Sequence, residues 1–376
     1  PTLGLVDVML PIGISFFTFT QIAFVVDCWS GKVVERKPVH YLLFVTYFPH
    51  LVAGPVLHHA QMMPQFAQDS TYRANPDKMV VGAATFVIGL SKKLLLADPL
   101  GQYADLIFGA VDKGFAPGFW TAWFGTLAYT FQIYFDFSGY SDMAVGLALF
   151  LGVKLPVNFA SPYRATSIIE FWRRWHITLS TFLRDYLYIP LGGNRAGPLR
   201  RYLNLFITML LGGLWHGANW TFVLWGAAHG ALLIVNHGWR FLRGSASEGR
   251  FARVGAWLLT FCAVCFTWVL FRATSIDSAL SVMQGMLGLN GASWPAFDGM
   301  SLPYKQATFG RLLLVALFIC TALPSSNQLD RFVPTVATWP RYRAWQAAAS
   351  AAVVVLLFGY CVSRLGHHSP FLYFQF

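Results

Sequence analysis

The chain has 376 residues, of which 56% are hydrophobic and only 11% are charged. A soluble domain is typically about one quarter charged, so these few charges cannot cover a surface that faces water. Lys and Arg outnumber Asp and Glu by 27 to 16, but without a polar fold this basic charge favours loops beside anionic lipid over nucleic acid. We therefore predict a multi-pass membrane protein with membrane lipid around it and no nucleic acid partner.

The first apolar run, residues 8–28, predicts a membrane-spanning helix. The next run, residues 41–57, is short and contains one glycine and two prolines, which predicts a broken or re-entrant helix. His58 and His59 follow it directly. A histidine pair suits a metal, but no third ligand is nearby in sequence. We interpret both as interfacial side chains and predict no metal site.

Residues 79–97 predict another span, in which Lys92 and Lys93 extend to the lipid headgroups. The apolar run of residues 119–135 is followed by polar residues at 136–142, where a glycine permits a break. The two aspartates of that break suit a helix N-cap and a cavity lining equally well.

Residues 154–201 carry eight Lys and Arg against two acidic residues, which places them on the cytoplasmic side. Their middle, residues 167–188, has apolar side chains at helical spacing and predicts one amphipathic helix in the headgroup region. With the later runs this gives an all-α fold with roughly nine to eleven membrane segments. We assign residues 1–376 to one membrane-embedded domain. The later predicted spans lie at residues 202–237, 254–271, 309–323 and 347–363.

The stretch LWHGANWTFVLWGAAHG, residues 214–230, holds two histidines in an apolar context. An ionisable side chain at membrane depth is costly and by default marks a functional site. Neutral imidazole suits a base that deprotonates a hydroxyl, and small neighbours leave room for a substrate. Two buried structural histidines that bond backbone carbonyls fit the same spacing. The candidates are His216 and His229 for chemistry, Asn219 as a donor, and Trp215 and Trp225 as cavity walls.

Six motifs together carry a resemblance to a known family. They are PIGISFFTFTQIAFVVD (11–27), YFPHLVAGPV (47–56), FDFSGYSDMAVGLALFLG (135–152), NFASPYRATSIIEFWRRWHITLSTFLRDYLYIPLGG (158–193), LWHGANWTFVLWGAAHG (214–230) and the FLYFQF end (371–376). Over nearly its whole length the chain resembles the membrane-bound O-acyltransferases. It is more similar to their alginate and polysaccharide acetylase branch than to the D-alanyl transferases.

The resemblance implies that His229 is the catalytic base and His216 a second essential histidine. It implies acetyl-CoA as a cytoplasmic acyl-donor substrate, with no cofactor. The family has further helices before the PIGISFF motif, so we expect that N-terminal helices are missing here. The residues expected near the cytoplasmic entrance, where they would bind the donor, are Trp172, Arg173, Arg174 and His176.

The resulting hypothesis is acetyl transfer across the bacterial inner membrane, for O-acetylation of an extracytoplasmic polysaccharide such as alginate. A periplasmic acetyltransferase partner and a polysaccharide acceptor are expected. Alternatives are the O-acetylation of peptidoglycan or another envelope glycan, a polytopic glycan or lipid transporter, and a scaffold with structural histidines. The embedded histidines and the absence of two matching halves with paired broken helices favour the enzyme.

Overall fold

The computed structural model describes residues 13–51, 54–195, 197–244, 249–292, 306–331 and 344–365. Every regular element in these ranges is a helix, which confirms the all-α prediction. The α-helices are α1 (Ile14–Trp29), α2 (Pro38–Thr46), α3 (His59–Phe66), α4 (Pro76–Ser91), α5 (Asp98–Val111), α6 (Phe119–Phe150), α7 (Ile168–Trp172), α8 (Ile177–Leu183), α9 (Gly197–Trp215), α10 (Trp220–Arg243), α11 (Arg250–Arg272), α12 (Ile276–Met286), α13 (Gln306–Ala322) and α14 (Ala344–Ser363).

Two described helices are long and apolar enough to cross a membrane. One is Pro76–Val111, in which a π-helical turn over Lys92–Ala97 joins α4 to α5, and the other is α11. Shorter apolar helices cover Phe16–Trp29, Thr308–Ala322 and Ala348–Ser363. The count of nine to eleven membrane segments therefore stays a prediction. Residues 8–12 and 371–376, which entered the sequence analysis, lie outside the described ranges.

The packing of α4 against α6 depends on two facing pairs of glycines. A Cβ atom on Gly89 would lie 2.5 Å from the carbonyl oxygen of Gly139, and one on Gly146 would lie 2.5 Å from that of Gly82. Real Cβ atoms do not approach backbone so closely. Small residues of this kind let two helix backbones come together in a membrane protein.

Two lysines of the π-helical turn pair with aspartates of α6. Lys92 Nζ lies 2.6 Å from Asp142 Oδ2, and Lys93 Nζ lies 2.7 Å from Asp136 Oδ1. All four side chains are at most 14% exposed. The prediction that these lysines extend to the headgroups is therefore wrong. Buried charges are stable when each has an opposite partner, and these pairs join α4 and α6.

The predicted break at residues 136–142 is also wrong, because α6 is one continuous helix of 32 residues. The glycine there, Gly139, serves the close approach to α4, and the aspartates neutralise lysines. Helices α5 and α12 lie between the predicted spans. The break after residue 46 is confirmed, since α2 ends at Thr46.

The single amphipathic helix predicted over residues 167–188 is wrong as well. The segment forms α7 and α8, followed by a π-helical turn over Arg184–Tyr188. Between α7 and α8 the chain turns at His176, whose φ of 42° is left-handed. Such a conformation costs free energy for a residue with a Cβ atom, so the surroundings must hold it in place.

We expect Gly146→Ala to destabilise the protein, since the added methyl group would meet the α4 backbone. Overpacking of this kind costs about 1–3 kcal/mol. Gly109→Ala is the matched control, because a Cβ atom there meets nothing within 4 Å. Thermal unfolding in detergent, followed by tryptophan fluorescence, measures both. Equal midpoints for the two variants would contradict the close approach of α4 and α6.

Lys92→Met should also destabilise the protein, because Asp142 would keep a buried charge without its partner. Removing one member of a buried pair costs about 3–5 kcal/mol. The double variant Lys92→Met/Asp142→Asn should lose less than the two single losses combined. The free energy of unfolding of all three variants forms a double-mutant cycle, and additive losses would show that the pair does not interact.

Candidate active site

Helices α9 and α10 pack closely and carry the two histidines of the central motif. Gly213 of α9 and Gly226 of α10 make this possible, since a Cβ atom on either would overlap the opposite backbone. Asn219 begins α10 as its N-cap and accepts a hydrogen bond from the Thr221 N–H at 3.1 Å. Its Nδ2 donates to the Thr274 carbonyl at 2.9 Å. The Asn219 amide, predicted as a substrate donor, thus helps to position α10.

His229 is fully buried on α10, among aromatic rings. Its ring centroid lies 4.8 Å from that of Trp225 and 5.1 Å from that of Trp172. The Trp172 indole N–H donates a hydrogen bond to His229 Nδ1 at 3.3 Å. A neutral imidazole that accepts at Nδ1 carries its proton on Nε2. The Nε2 atom is buried and has no hydrogen-bond partner among the described residues.

His216 follows the C-terminal end of α9 and is 8% exposed. Its ring meets Trp225 edge to face, with 5.2 Å between centroids, and Phe271 of α11 at 4.9 Å. Trp225 therefore contacts both His216 and His229. The neighbouring Trp215 packs instead against Phe19 of α1, at 4.8 Å.

His176 lies in the buried interior and not at an entrance, contrary to the expectation from sequence. It is 1% exposed, and its Nδ1 lies 3.0 Å from Asn158 Oδ1. Asn158 Oδ1 also accepts from the Thr178 hydroxyl at 2.9 Å, and its Nδ2 donates to the Ser141 hydroxyl. Because that oxygen is an acceptor, His176 donates from Nδ1 and keeps a lone pair on Nε2. That Nε2 is buried, without a hydrogen-bond partner among the described residues.

His176 and His216 line one small internal cavity, which we name the chamber. Its free volume is about 10 Å³, enough for one water molecule or hydroxyl group. His229 is not part of the lining, but Trp172, Trp225 and Trp268, whose rings contact it, are. The full lining is Ile133, Phe137, Trp172, Trp175, His176, Leu179, His216, Trp225, Trp268 and Phe271.

A much larger, open groove of about 790 Å³ is lined by residues of α7, α8 and α9, among others. Its lining includes Arg173, Arg184 and Arg201, and Arg201 Nη2 lies 2.7 Å from His237 Nδ1. We name it the basic groove. Trp172 lines both the basic groove and the chamber. Trp172 is therefore shared by an open cationic groove and the buried chamber.

The predicted donor-binding residues separate into two groups. Trp172 and Arg173 line the basic groove, whereas Arg174 does not. Arg174 pairs with Glu170 at 2.6 Å and donates to the Ala160 carbonyl. Burial raises the pKa of the Glu170 carboxyl, but hydrogen bonds from Thr166 and Arg174 outweigh it and hold the pKa below its usual value. Arg174 and Glu170 thereby fix α7, which carries Trp172.

Sequence reasoning missed most of the chamber's lining and the residue that orients His176. Asn158 orients His176, and Trp268 and Phe271 of α11 complete the aromatic wall. Asn158 stands in the quoted NFASPYR motif, which was the available signal. The sequence does not distinguish the two α11 residues, because an apolar helix contains many aromatic and aliphatic side chains that serve only packing.

Comparisons with known proteins identify the family of the chain. The family model described as "MBOAT, membrane-bound O-acyltransferase family" matches residues 8–280. The peptidoglycan O-acetyltransferase of Helicobacter pylori is 39% identical, over 98% of this chain and 75% of its own length. The probable alginate O-acetylase AlgI of Azotobacter vinelandii is 41% identical, over 98% and 76%.

A more distant relative carries a different acyl group. The teichoic acid D-alanyltransferase of Bacillus subtilis is 26% identical, over 69% of this chain and 68% of its own length. The relatives named here are all acyl-group transferases by name, which decides against the transporter hypothesis. The chain is an acyltransferase and belongs to the membrane-bound O-acyltransferase family.

Proposed function

We propose that this enzyme moves an acetyl group from cytoplasmic acetyl-CoA across the bacterial inner membrane, for O-acetylation of an extracytoplasmic polysaccharide such as alginate. The names of the relatives support a polysaccharide acceptor. Peptidoglycan is the second candidate acceptor, because the peptidoglycan and alginate relatives are almost equally identical to this chain. A periplasmic acetyltransferase partner then receives the acetyl group or delivers it to the glycan.

The basic groove is the proposed binding site of the donor. Coenzyme A carries several phosphate charges, which suit the guanidinium groups of Arg173 and Arg201. Arg184 also lines the groove, but its guanidinium pairs with Asp185 at 2.7 Å. Its acetyl thioester is at the opposite end of an extended chain. With the phosphates on the arginines, the thioester would approach the histidines at Trp172. Arg174 has no place in this proposal, because Glu170 already holds it.

The proposed chemistry needs a base and a donor to the developing oxyanion. His229 takes the proton of the attacking hydroxyl at Nδ1, once the Trp172 indole has turned away from that lone pair. The hydroxyl oxygen forms a bond to the acetyl carbon, the carbon–sulfur bond breaks, and coenzyme A leaves as its thiol. The Trp225 indole N–H, which has no hydrogen-bond partner among the described residues, is the proposed oxyanion donor.

His216 and His176 are proposed to orient the acceptor sugar by holding a hydroxyl next to the attacking one in the chamber. His176 offers a lone pair at Nε2, so it accepts a hydrogen bond from this neighbouring hydroxyl, while the attacking hydroxyl gives its proton to His229. His216 lies against Trp225, which also contacts His229. The observation that carries the whole proposal is the position of Trp172, which bonds His229 and lines both the basic groove and the chamber.

His229→Ala should abolish acetyl transfer, because it removes the imidazole that is proposed to take the proton of the attacking hydroxyl. The assay follows radiolabelled acetyl from acetyl-CoA to an alginate or peptidoglycan acceptor, with the periplasmic partner added. The matched control is His40→Ala, since His40 lies on α2 beside Glu35, away from the chamber. Size-exclusion elution in detergent must be unchanged. Transfer by His229→Ala at the rate of the control would overturn the proposed base.

Trp172 substitutions should separate its two roles. Trp172→Phe keeps a ring in the wall but removes the hydrogen bond to His229. The bond must break before Nδ1 can take a proton, so the loss of about 0.5–1.5 kcal/mol of resting-state stabilisation predicts a roughly two- to tenfold rise in kcat with little change in the KM for acetyl-CoA. Trp172→Ala opens the wall, so acetyl-CoA hydrolysis without an acceptor should rise relative to transfer. If Trp172→Phe keeps or lowers the wild-type kcat, proton transfer to Nδ1 does not require the Trp172 bond to break.

A further inference from the structure

Outside the chamber, four polar side chains from three separate elements meet at one point. Asp27 comes from the end of α1, His58 and His59 from the start of α3, and Tyr186 from the π-helical turn after α8. Asp27 Oδ2 lies 2.9 Å from His59 Nε2, 3.0 Å from His58 Nε2 and 2.7 Å from the Tyr186 hydroxyl. His58 Nε2 lies 2.7 Å from that hydroxyl.

The burial of this cluster makes it a built site rather than a chance surface contact. The Asp27 and His59 side chains are only 4% and 5% exposed, whereas the His58 side chain is 35% exposed. The cluster is therefore closed on one side and open to small solutes on the side of His58. The second oxygen of Asp27, Oδ1, is also buried, and its nearest charged partner is the Lys32 amine at 3.5 Å.

The donor set matches the ligand chemistry of a transition metal. The two Nε2 atoms and a carboxylate oxygen lie within 4.8 Å of one another. Zinc binds histidine nitrogen and carboxylate oxygen at about 2.0–2.2 Å, so tetrahedral ligands stand roughly 3.3 Å apart. Asp27 Oδ2 lies 2.9 Å from His59 Nε2 and 3.0 Å from His58 Nε2, so these two distances need to widen by only a few tenths of an ångström.

We propose that Asp27, His58 and His59 form a zinc site, with a water in the fourth position that hydrogen-bonds the Tyr186 hydroxyl. The ion would tie α1 to α3 and to the segment that carries Tyr186. That segment also supplies Arg184 and Tyr188 to the basic groove. The proposal stands apart from acetyl transfer, because none of the three ligands lines the chamber.

The position of the proton on His58 indicates which of the three ligands binds zinc most weakly. His58 Nδ1 accepts a hydrogen bond from the Ala60 N–H at 3.2 Å, so without metal its proton is on Nε2. Zinc at Nε2 displaces that proton and costs the Ala60 bond. His58 is therefore the weakest of the three ligands. Lys32 competes for Asp27 but is 68% exposed and can move into solvent.

The test is zinc content, measured by inductively coupled plasma mass spectrometry on the full chain in detergent. Each protein receives a small excess of zinc and is then dialysed against metal-free buffer. Wild type and the control His40→Gln should keep one zinc per chain, whereas Asp27→Asn and His59→Gln should lose it. His40 is a suitable control because it also lies beside a carboxylate, that of Glu35, at 3.6 Å.

A competition with a chromophoric chelator completes the test. His58→Gln should weaken zinc binding less than His59→Gln does. Zinc should raise the thermal unfolding midpoint of wild type and leave that of Asp27→Asn unchanged, and unchanged size-exclusion elution shows that the variants fold. Wild type without zinc after dialysis, or Asp27→Asn with full zinc, would overturn the site. Neither result depends on whether the enzyme transfers acetyl groups.

Discussion

The hydrogen bond from the Trp172 indole to His229 joins the two parts of the proposed active site. It connects α7, which lines the basic groove, to α10, which holds the buried histidine. Imidazole in an apolar interior needs partners for its polar atoms, because an unsatisfied buried polar group costs free energy. Trp172 satisfies one nitrogen and leaves the other without a partner among the described residues. The remaining structure keeps these two helices in place.

Several unrelated contacts serve that arrangement. Glycines allow α9 to pack closely against α10 and α4 to pack closely against α6. Ion pairs with aspartates neutralise the lysines buried beside α6. Asn158 holds His176 in a left-handed conformation at the turn between α7 and α8. Strain of this kind persists only where neighbouring groups fix it, and here it aims a histidine into the chamber.

The sequence predicted the helical class and the family, because apolar runs and short motifs are local signals, whereas the role of the 214–230 motif stays a prediction. It did not predict that α6 is continuous, since a glycine between two aspartates is also typical of a break in a helix. Their partners, Gly89, Lys92 and Lys93, lie about fifty residues away. The amphipathic pattern at 167–188 was real, but the turn at His176 depends on Asn158. Likewise, Asp27 and His59 are 32 residues apart in sequence, and Asp27 contacts His58 and His59 only in the folded chain.

The central claim is that the acyl group passes from the basic groove to His229 at Trp172. The most direct measurement is a cryo-electron microscopy structure in lipid nanodiscs with a non-hydrolysable acetyl-CoA analogue. We expect phosphate density beside Arg173 and Arg201, and the acetyl end against Trp172 and His229. An acetyl end ordered elsewhere, with Trp172 still bonded to His229, would contradict the account.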